Sequence, residues 1–396
     1  MVEDMNKIVS VVFCFLLVSS TLIFPIQSDA SQQDEIIYVD VDNTDGPWDG
    51  SFEHPFQYIQ NAIDAASEGD TVFVRNGQYK ENIVIDQSIF LRGEHKVNTI
   101  IDGGKKSNVI CIEDDEVEVS NFFITDGGIH TFDAGIKLFS SDNSISENII
   151  DNNMVGIFLQ NSSNNLITEN IFLDGKVGLH LNFSSNFNLI SKNSFSNLSY
   201  GMSLSYSSNN NILLNNTLNT SRFGILIGLE SSFNKVSENS VCNSNWGIFL
   251  DSSNNDISFN YIADNHDGIR MDEHSSSNTV YGNLIVSNWG GISLYESTNN
   301  NKISSNVICD NTIGVGLYLS NSNEIKENNF IDNSYHVDME NSFFNTWNMN
   351  YWDDWIGFGP KLITGKIEIW NVGIFPWFEF DWHPASEPYD IDGGGL

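Results

Sequence analysis

Between residues 135 and 319 apolar and polar residues alternate in short bursts that return every 21 to 25 residues. The bursts GIKL, GIFL, GLHL, GMSL, GILI, GIFL, GIRM, GISL and GLYL begin at Gly135, Gly156, Gly178, Gly201, Gly224, Gly247, Gly268, Gly291 and Gly316, and the first and third residues after each glycine are apolar. Alternation with a period of two marks a strand with one buried face. Asparagines carry a second rhythm: Asn143, Asn165, Asn188, Asn211, Asn234, Asn255, Asn278, Asn301 and Asn323 are each followed five residues later by another asparagine. The residue two beyond each member of both series is aliphatic or Phe, as in Ile167 and Phe172. Each repeat therefore supplies at least four inward side chains, too few for a core of its own but enough for a continuous one when repeats stack. The pattern predicts an all-β chain, a right-handed parallel β-helix solenoid of about 12–13 coils. The asparagines are expected at its corners, tolerating left-handed backbone angles and bonding amide to amide between coils.

The ends depart from this rhythm. The segment HPFQYIQNAIDAASEGDTVFV reads as an amphipathic helix (Ile59, Ala62, Ile63, Ala66) ended by Gly69 and running into a buried strand, placed to cap the first coil. Early strands are expected over Ile83–Ile85 and residues 89–91, 99–101, 109–112 and 117–124. After Asn345 the repeat reads as failing, and six of the nine tryptophans follow (Trp347, Trp352, Trp355, Trp370, Trp377, Trp382), the pattern of an aromatic plug. The apolar run from Ile8 to Ile26 and the small residues Ser28 and Ala30 mark an export signal. The organisation expected is a signal peptide (1–30), a capped β-helix (31–345) and a Trp-rich C-terminal cap (346–396).

Lys and Arg number 17 against 52 Asp and Glu, a formal charge of −35. Such a surface repels phosphate backbones, which excludes nucleic acid as a partner. Cys242 and Cys309 lie three coils apart, roughly 14 Å at the strand spacing, too far for a disulfide. Asp40, Asp42, Asp45 and Gly46 suggest a weakly bound calcium, although the spacing misses the EF-hand pattern; no other cofactor is expected.

Outward positions are the second and fourth after each glycine, including Phe249/Asp251, Arg270/Asp272, Ser293/Tyr295 and Tyr318/Ser320. The densest polar group is HDGIRMDEH. Asp251 and Asp272 share one register in adjacent coils, with carboxylates expected roughly 5 Å apart, and Arg270 lies on the same side. These three are the candidate catalytic residues, against the alternative of a solvated ion pair. His266, Trp289 and Tyr295 are candidate ligand contacts beside them. Tyr200, Phe223 and Trp246 fall at 23-residue intervals and form an aromatic ladder that either faces sugar rings or packs a corner.

The opening YVDVDNTDGPWDGSFEHPFQYIQNAIDAASEGDTVFVRNGQYKENIVI resembles the N-terminal cap and first coils of pectin lyase-like proteins. The N-x-I-x-x-N-x-I and G-I-x-L repeats resemble the β-helix domain of NosD-family proteins, accessory to nitrous oxide reductase maturation, and the wider class of carbohydrate-binding proteins and sugar hydrolases. The resemblance implies an exported monomer at the cell surface or in the periplasm, touching a membrane only if its leader stays uncleaved. It also implies a non-catalytic protein that binds or scaffolds extended carbohydrate or cell-surface glycan. Two alternatives stand beside it: a polysaccharide lyase, epimerase or glycosidase, and a copper accessory protein. The copper role is not expected, because the methionines (Met154, Met202, Met271, Met339, Met349) are dispersed, whereas soft Cu(I) ligands must converge.

Overall fold

A computed structural model describes residues 35–296 and 298–391. The expected signal peptide lies outside the described residues.

The chain winds into a parallel β-helix of about 13 turns. Each strand pairs with the strand one coil on, so that Leu250 lies opposite Met271, Met271 opposite Leu294, Leu294 opposite Leu317 and Leu317 opposite Met339. The predicted columns point inward: Ile145, Ile167, Ile190, Ile248, Leu250 and their equivalents are wholly buried in one continuous core. Burying each such side chain is worth about 1.5–3 kcal/mol. The helix Ile59–Ala65 places Ile59, Ala62 and Ile63 over the first coil. Its free N-terminal N–H groups at Ile59 and Gln60 are satisfied by the Glu81 carboxylate at 2.9 and 3.1 Å.

Glycine opens the inward strand because its neighbour is backbone. A Cβ on Gly156 would stand 2.5 Å from the carbonyl oxygen of Gly178, and one on Gly224 2.5 Å from that of Gly247. This ladder corrects one register read from the sequence. Gly291 is followed by Gly314, whose Cβ would meet the His336 carbonyl oxygen at 2.6 Å, and Gly316 belongs two positions further along. Ile292 faces Val315, Ser293 faces Gly316 and Tyr295 faces Tyr318. Leu319, expected inside, is 51% exposed, and Ser320, expected outside, is buried. In IGVGLYL either glycine can begin a G-x-x-x phrase, and backbone crowding selects the first.

Both asparagine ladders form as expected. Asn260, for example, donates its backbone N–H and its side-chain amide to Oδ1 of Asn283, each at 2.9 Å. The left-handed backbone, however, falls one residue earlier than predicted. Asn164, Phe187, Asn210, Phe233 and Asn254, each preceding a first-series asparagine, have φ of 58, 59, 57, 61 and 61°. The turn is made by the preceding residue, which lets the asparagine tuck its amide inward. A third ladder, Asn265–Asn288–Asn311–Asn333, runs beside the other two. A buried serine column also bonds coil to coil, as in Ser162 N–H to Ser185 Oγ and Ser208 N–H to Ser231 Oγ, both 3.2 Å.

The repeat also outlasts Asn345. Asn323 and Asn328 donate to Asn345 and Asn350, and Trp347 and Trp352 stack on Ile325 and Phe330. Tryptophan in place of aliphatic residues hides this last coil in the sequence. Beyond it, Lys361–Ile369 and Gly373–Asp381 form an antiparallel hairpin.

Candidate functional site

Three columns of outward positions cross the glycine-led sheet. The first runs Tyr200, Phe223, Trp246, Asp267, Gly290, Ile313, Tyr335. The second includes Phe249, Arg270, Ser293, Gly316 and Asp338. The third continues from Asp251 through Asp272 to Tyr295 and Tyr318, since Leu250, Met271, Leu294 and Leu317 precede them in register.

Arg270 is the centre of the group. Its Nε donates to Asp272 Oδ1 at 2.9 Å, its Nη1 lies 3.6 Å from Asp267 Oδ2, and its guanidinium carbon sits 4.2 Å from the Tyr295 ring centroid and 5.5 Å from that of Trp246. The planar guanidinium suits such a site because it forks to carboxylates while stacking on rings. Tyr295 in turn stacks on Tyr318 at 4.7 Å, and the Tyr318 hydroxyl donates to Asp338 at 2.9 Å. His266 stacks on Trp289 at 4.9 Å, with its Nδ1 3.7 Å from Asp267 Oδ2. Arg270, Asp272, His266, Trp289 and Tyr295 are thus brought together.

Asp251 is the exception. It holds the expected register, but its carboxylate pairs with His274 Nδ1 at 2.7 Å and faces a hollow of about 370 Å³ at the corner formed by Leu229, Glu230 and Ser253. The two aspartates therefore serve different partners. A carboxyl that sequence reasoning missed takes the central place. Asp267 occupies the register of Trp246 one coil on and is wholly buried. Its Oδ1 accepts from Ser293 at 2.9 Å, while Oδ2 has no hydrogen-bond partner among the described residues. Burial pushes its carboxyl above the usual range, against the lowering effect of the Ser293 hydroxyl. The legible signal was a polar residue immediately before a repeat glycine, where Tyr200, Phe223 and Trp246 set an aromatic precedent.

That aromatic ladder is continuous, with centroids 4.9 Å apart for Tyr200 and Phe223 and 4.6 Å for Phe223 and Trp246. Phe223 is only 6% exposed and lies under the Arg222 guanidinium at 5.3 Å. The half-buried Tyr200 and Trp246 are the members with accessible surface.

At the C-terminal end two hollows of about 500 and 450 Å³ lie between the last coils and the hairpin. The first holds His336, Asp353 and Asp354, the only set among the described residues with three donors close enough for a metal. The set is internally satisfied: His336 Nε2 meets Asp353 at 2.8 Å, and Lys361 Nζ occupies Asp354 at 2.6 Å.

A family model described as periplasmic copper-binding protein (NosD) matches residues 63–176, 110–290 and 285–357. The chain belongs to the NosD family. The His/Cys/Asp/Glu set close enough for a metal among the described residues, His336 with Asp353 and Asp354, offers two hard carboxylates with an ammonium already in place and matches soft copper poorly, while Met202, Met271 and Met339 are buried in the core. The catalytic unit of the thermostable GH87 α-1,3-glucanase of Streptomyces thermodiastaticus superposes with a TM-score of 0.64 at 14% identity, covering 89% of this chain and 71% of that one. The catalytic domain of a GH87 α-1,3-glucanase in complex with nigerose gives 0.52 at 11% identity, covering 83% and 67%. At these identities the likeness is one of fold. No curated protein matches in sequence. No helix among the described residues is long and apolar enough to cross a membrane.

Proposed function

We propose that this NosD-family protein is exported and holds an extended, uncharged glycan along its outer sheet without cleaving it. The observation that carries the reading is the state of Arg270. It lies over the Tyr295 ring and is paired with Asp272 at 2.9 Å, with Asp267 3.6 Å away, so the strip offers ring faces and hydrogen-bonding groups without unpaired positive charge. Sugar rings pair an apolar face with a polar edge, which suits such a surface. A polyuronate is disfavoured by the overall charge of −35. The solved structures of like fold include enzymes with bound saccharides, which supports carbohydrate as the ligand class. The test is a panel of neutral, anionic and amino polysaccharides, read for both binding and release of reducing or unsaturated ends. Binding to neutral polymers without product is the expected result, and retention of polyuronates alone would sink it.

One observation favours the enzymatic alternative. Asp267, its carboxyl raised by burial, and Asp272, paired with Arg270 in a more open setting, both contact one guanidinium, and two carboxyls in unlike environments can divide acid and base roles. Product release abolished by Asp272→Asn with binding retained would establish that reading.

A further inference from the structure

The outer strip does not run freely off the end of the helix. The column Trp246, Asp267, Gly290, Ile313, Tyr335 stays in register to the last coils, and there the hairpin strand Lys361–Ile369 pairs beside Tyr335–Glu340. Lys366 pairs with Glu340 in backbone register and through an ion pair of 2.8 Å. Between the hairpin and the coils lies the hollow of about 450 Å³, with Trp289, Ile313, Tyr335, Asp338, Thr364 and Lys366 in its walls. Trp289 and Tyr335 are 44% and 67% exposed, whereas Ile313 is buried and forms a floor. The cation is already paired, Lys366 with Glu340, and Asp338 accepts the Tyr318 hydroxyl, so no free positive charge is there to select an anionic sugar. Two exposed aromatic faces, a threonine hydroxyl and a paired carboxylate in a recess of this size match small-ligand sites, which fall at roughly 300–1,000 Å³.

We infer that this hollow is a subsite for the terminal sugar of a neutral glycan, so that the protein grips chain ends rather than chain middles. The inference rests on the carbohydrate reading above and adds direction to it: the recess lies at the C-terminal end of the strip, beside the hairpin, where the end of a bound chain would seat.

The test titrates full-length protein with α-1,3-glucan and β-1,3-glucan, each intact at two chain lengths and as its tetrasaccharide. End recognition predicts a fixed number of proteins per chain whatever its length. It also predicts that Trp289→Ala and Tyr335→Ala each weaken tetrasaccharide binding about tenfold at unchanged melting temperature, with Trp289→Phe restoring most of it. Protein bound in proportion to chain length, with both alanine variants binding as wild type, overturns the subsite and leaves the strip as the binding surface. Absence of binding to all probes by the wild type overturns both.

Discussion

Asp381 closes the second asparagine ladder: its Oδ2 accepts the backbone N–H of Asn350 at 2.9 Å and the side-chain amide of the same residue at 3.1 Å. The Trp352 indole N–H reaches the same oxygen at 3.2 Å, and Asp381 is wholly buried. Two residues earlier, Glu379 does the same for the first ladder, accepting from the Asn345 N–H at 3.2 Å and the Trp347 indole at 2.8 Å. Each interior asparagine donates to the next coil, so the last donors in the series need an acceptor from elsewhere. A carboxylate, which only accepts, supplies it. The hairpin thus ends the ladders as well as covering the core.

Asp381→Ala removes three buried hydrogen bonds and leaves the Asn350 N–H and the Trp352 indole N–H without partners, the Asn350 amide keeping the Ile325 carbonyl at 3.0 Å, and each unpaired donor costs about 1–3 kcal/mol. The variant is expected to unfold at a clearly lower urea midpoint, with faster amide exchange concentrated over residues 324–352, while Asp381→Asn, which keeps one carbonyl acceptor, loses less. Equal midpoints for Asp381→Ala and wild type would remove the terminating role.

The aliphatic columns and paired asparagines made the helix legible because both obey one period. What escaped the sequence lies where two residue types do the same job. The residue before each corner asparagine takes the left-handed turn whether it is Asn164, Phe233 or Gly282, so no single letter marks it. Trp347 and Trp352 replace aliphatic residues and conceal a coil. The third ladder was hidden because the strands Ile171–Asn182, Ser194–Leu204 and Thr217–Gly228 run straight through that corner, carrying Gly175, Leu198 and Thr220 in register instead of asparagine. At the site, register placed Asp251 and Asp272 correctly, but side-chain partners separated them, and only geometry exposed Asp267.

Gly290 is tied to Asp267. A Cβ there would stand 2.4 Å from Asp267 Oδ1 and 2.7 Å from Ser293 Oγ, and a wholly buried carboxyl has no room to withdraw. Gly290→Ala is expected to destabilise by about 1–3 kcal/mol. Gly228→Ala is the control, since its Cβ meets nothing nearer than 3.8 Å. Thermal unfolding of the two variants side by side checks the difference, and equal melting temperatures would contradict it.

His180 makes stability depend on pH. Burial pushes its imidazole down to about 4, from an ordinary value of 6.5, with Ser205 Oγ 3.0 Å from Nε2. Above pH 6.5 the ring is neutral in both folded and unfolded chains, and its contribution is complete. As pH falls from 6.5 to 4 the unfolded chain takes up the proton first, so stability declines across that window by up to about 3 kcal/mol. His180→Gln should flatten this part of the stability profile; a profile unchanged by the substitution would show that another group causes the loss.

Arg270→Lys tests the strip while preserving charge. A lysine ammonium is compact, and it cannot cover the Tyr295 ring while reaching both Asp272 and Asp267 as the guanidinium does. Asp267 would then have the cation further away, and its carboxyl would climb further above the ordinary range. Glycan binding is expected to fall about tenfold, an effect that alanine would overstate by also removing the charge. Asp251→Asn provides the contrast, because that carboxylate faces His274 at the corner and its loss should leave binding unchanged. Calorimetric titration of both variants with the same neutral polymer decides the matter: if Arg270→Lys binds as tightly as wild type, the planar guanidinium does not organise the surface, and the ring faces of Trp246 and Tyr295 act without it.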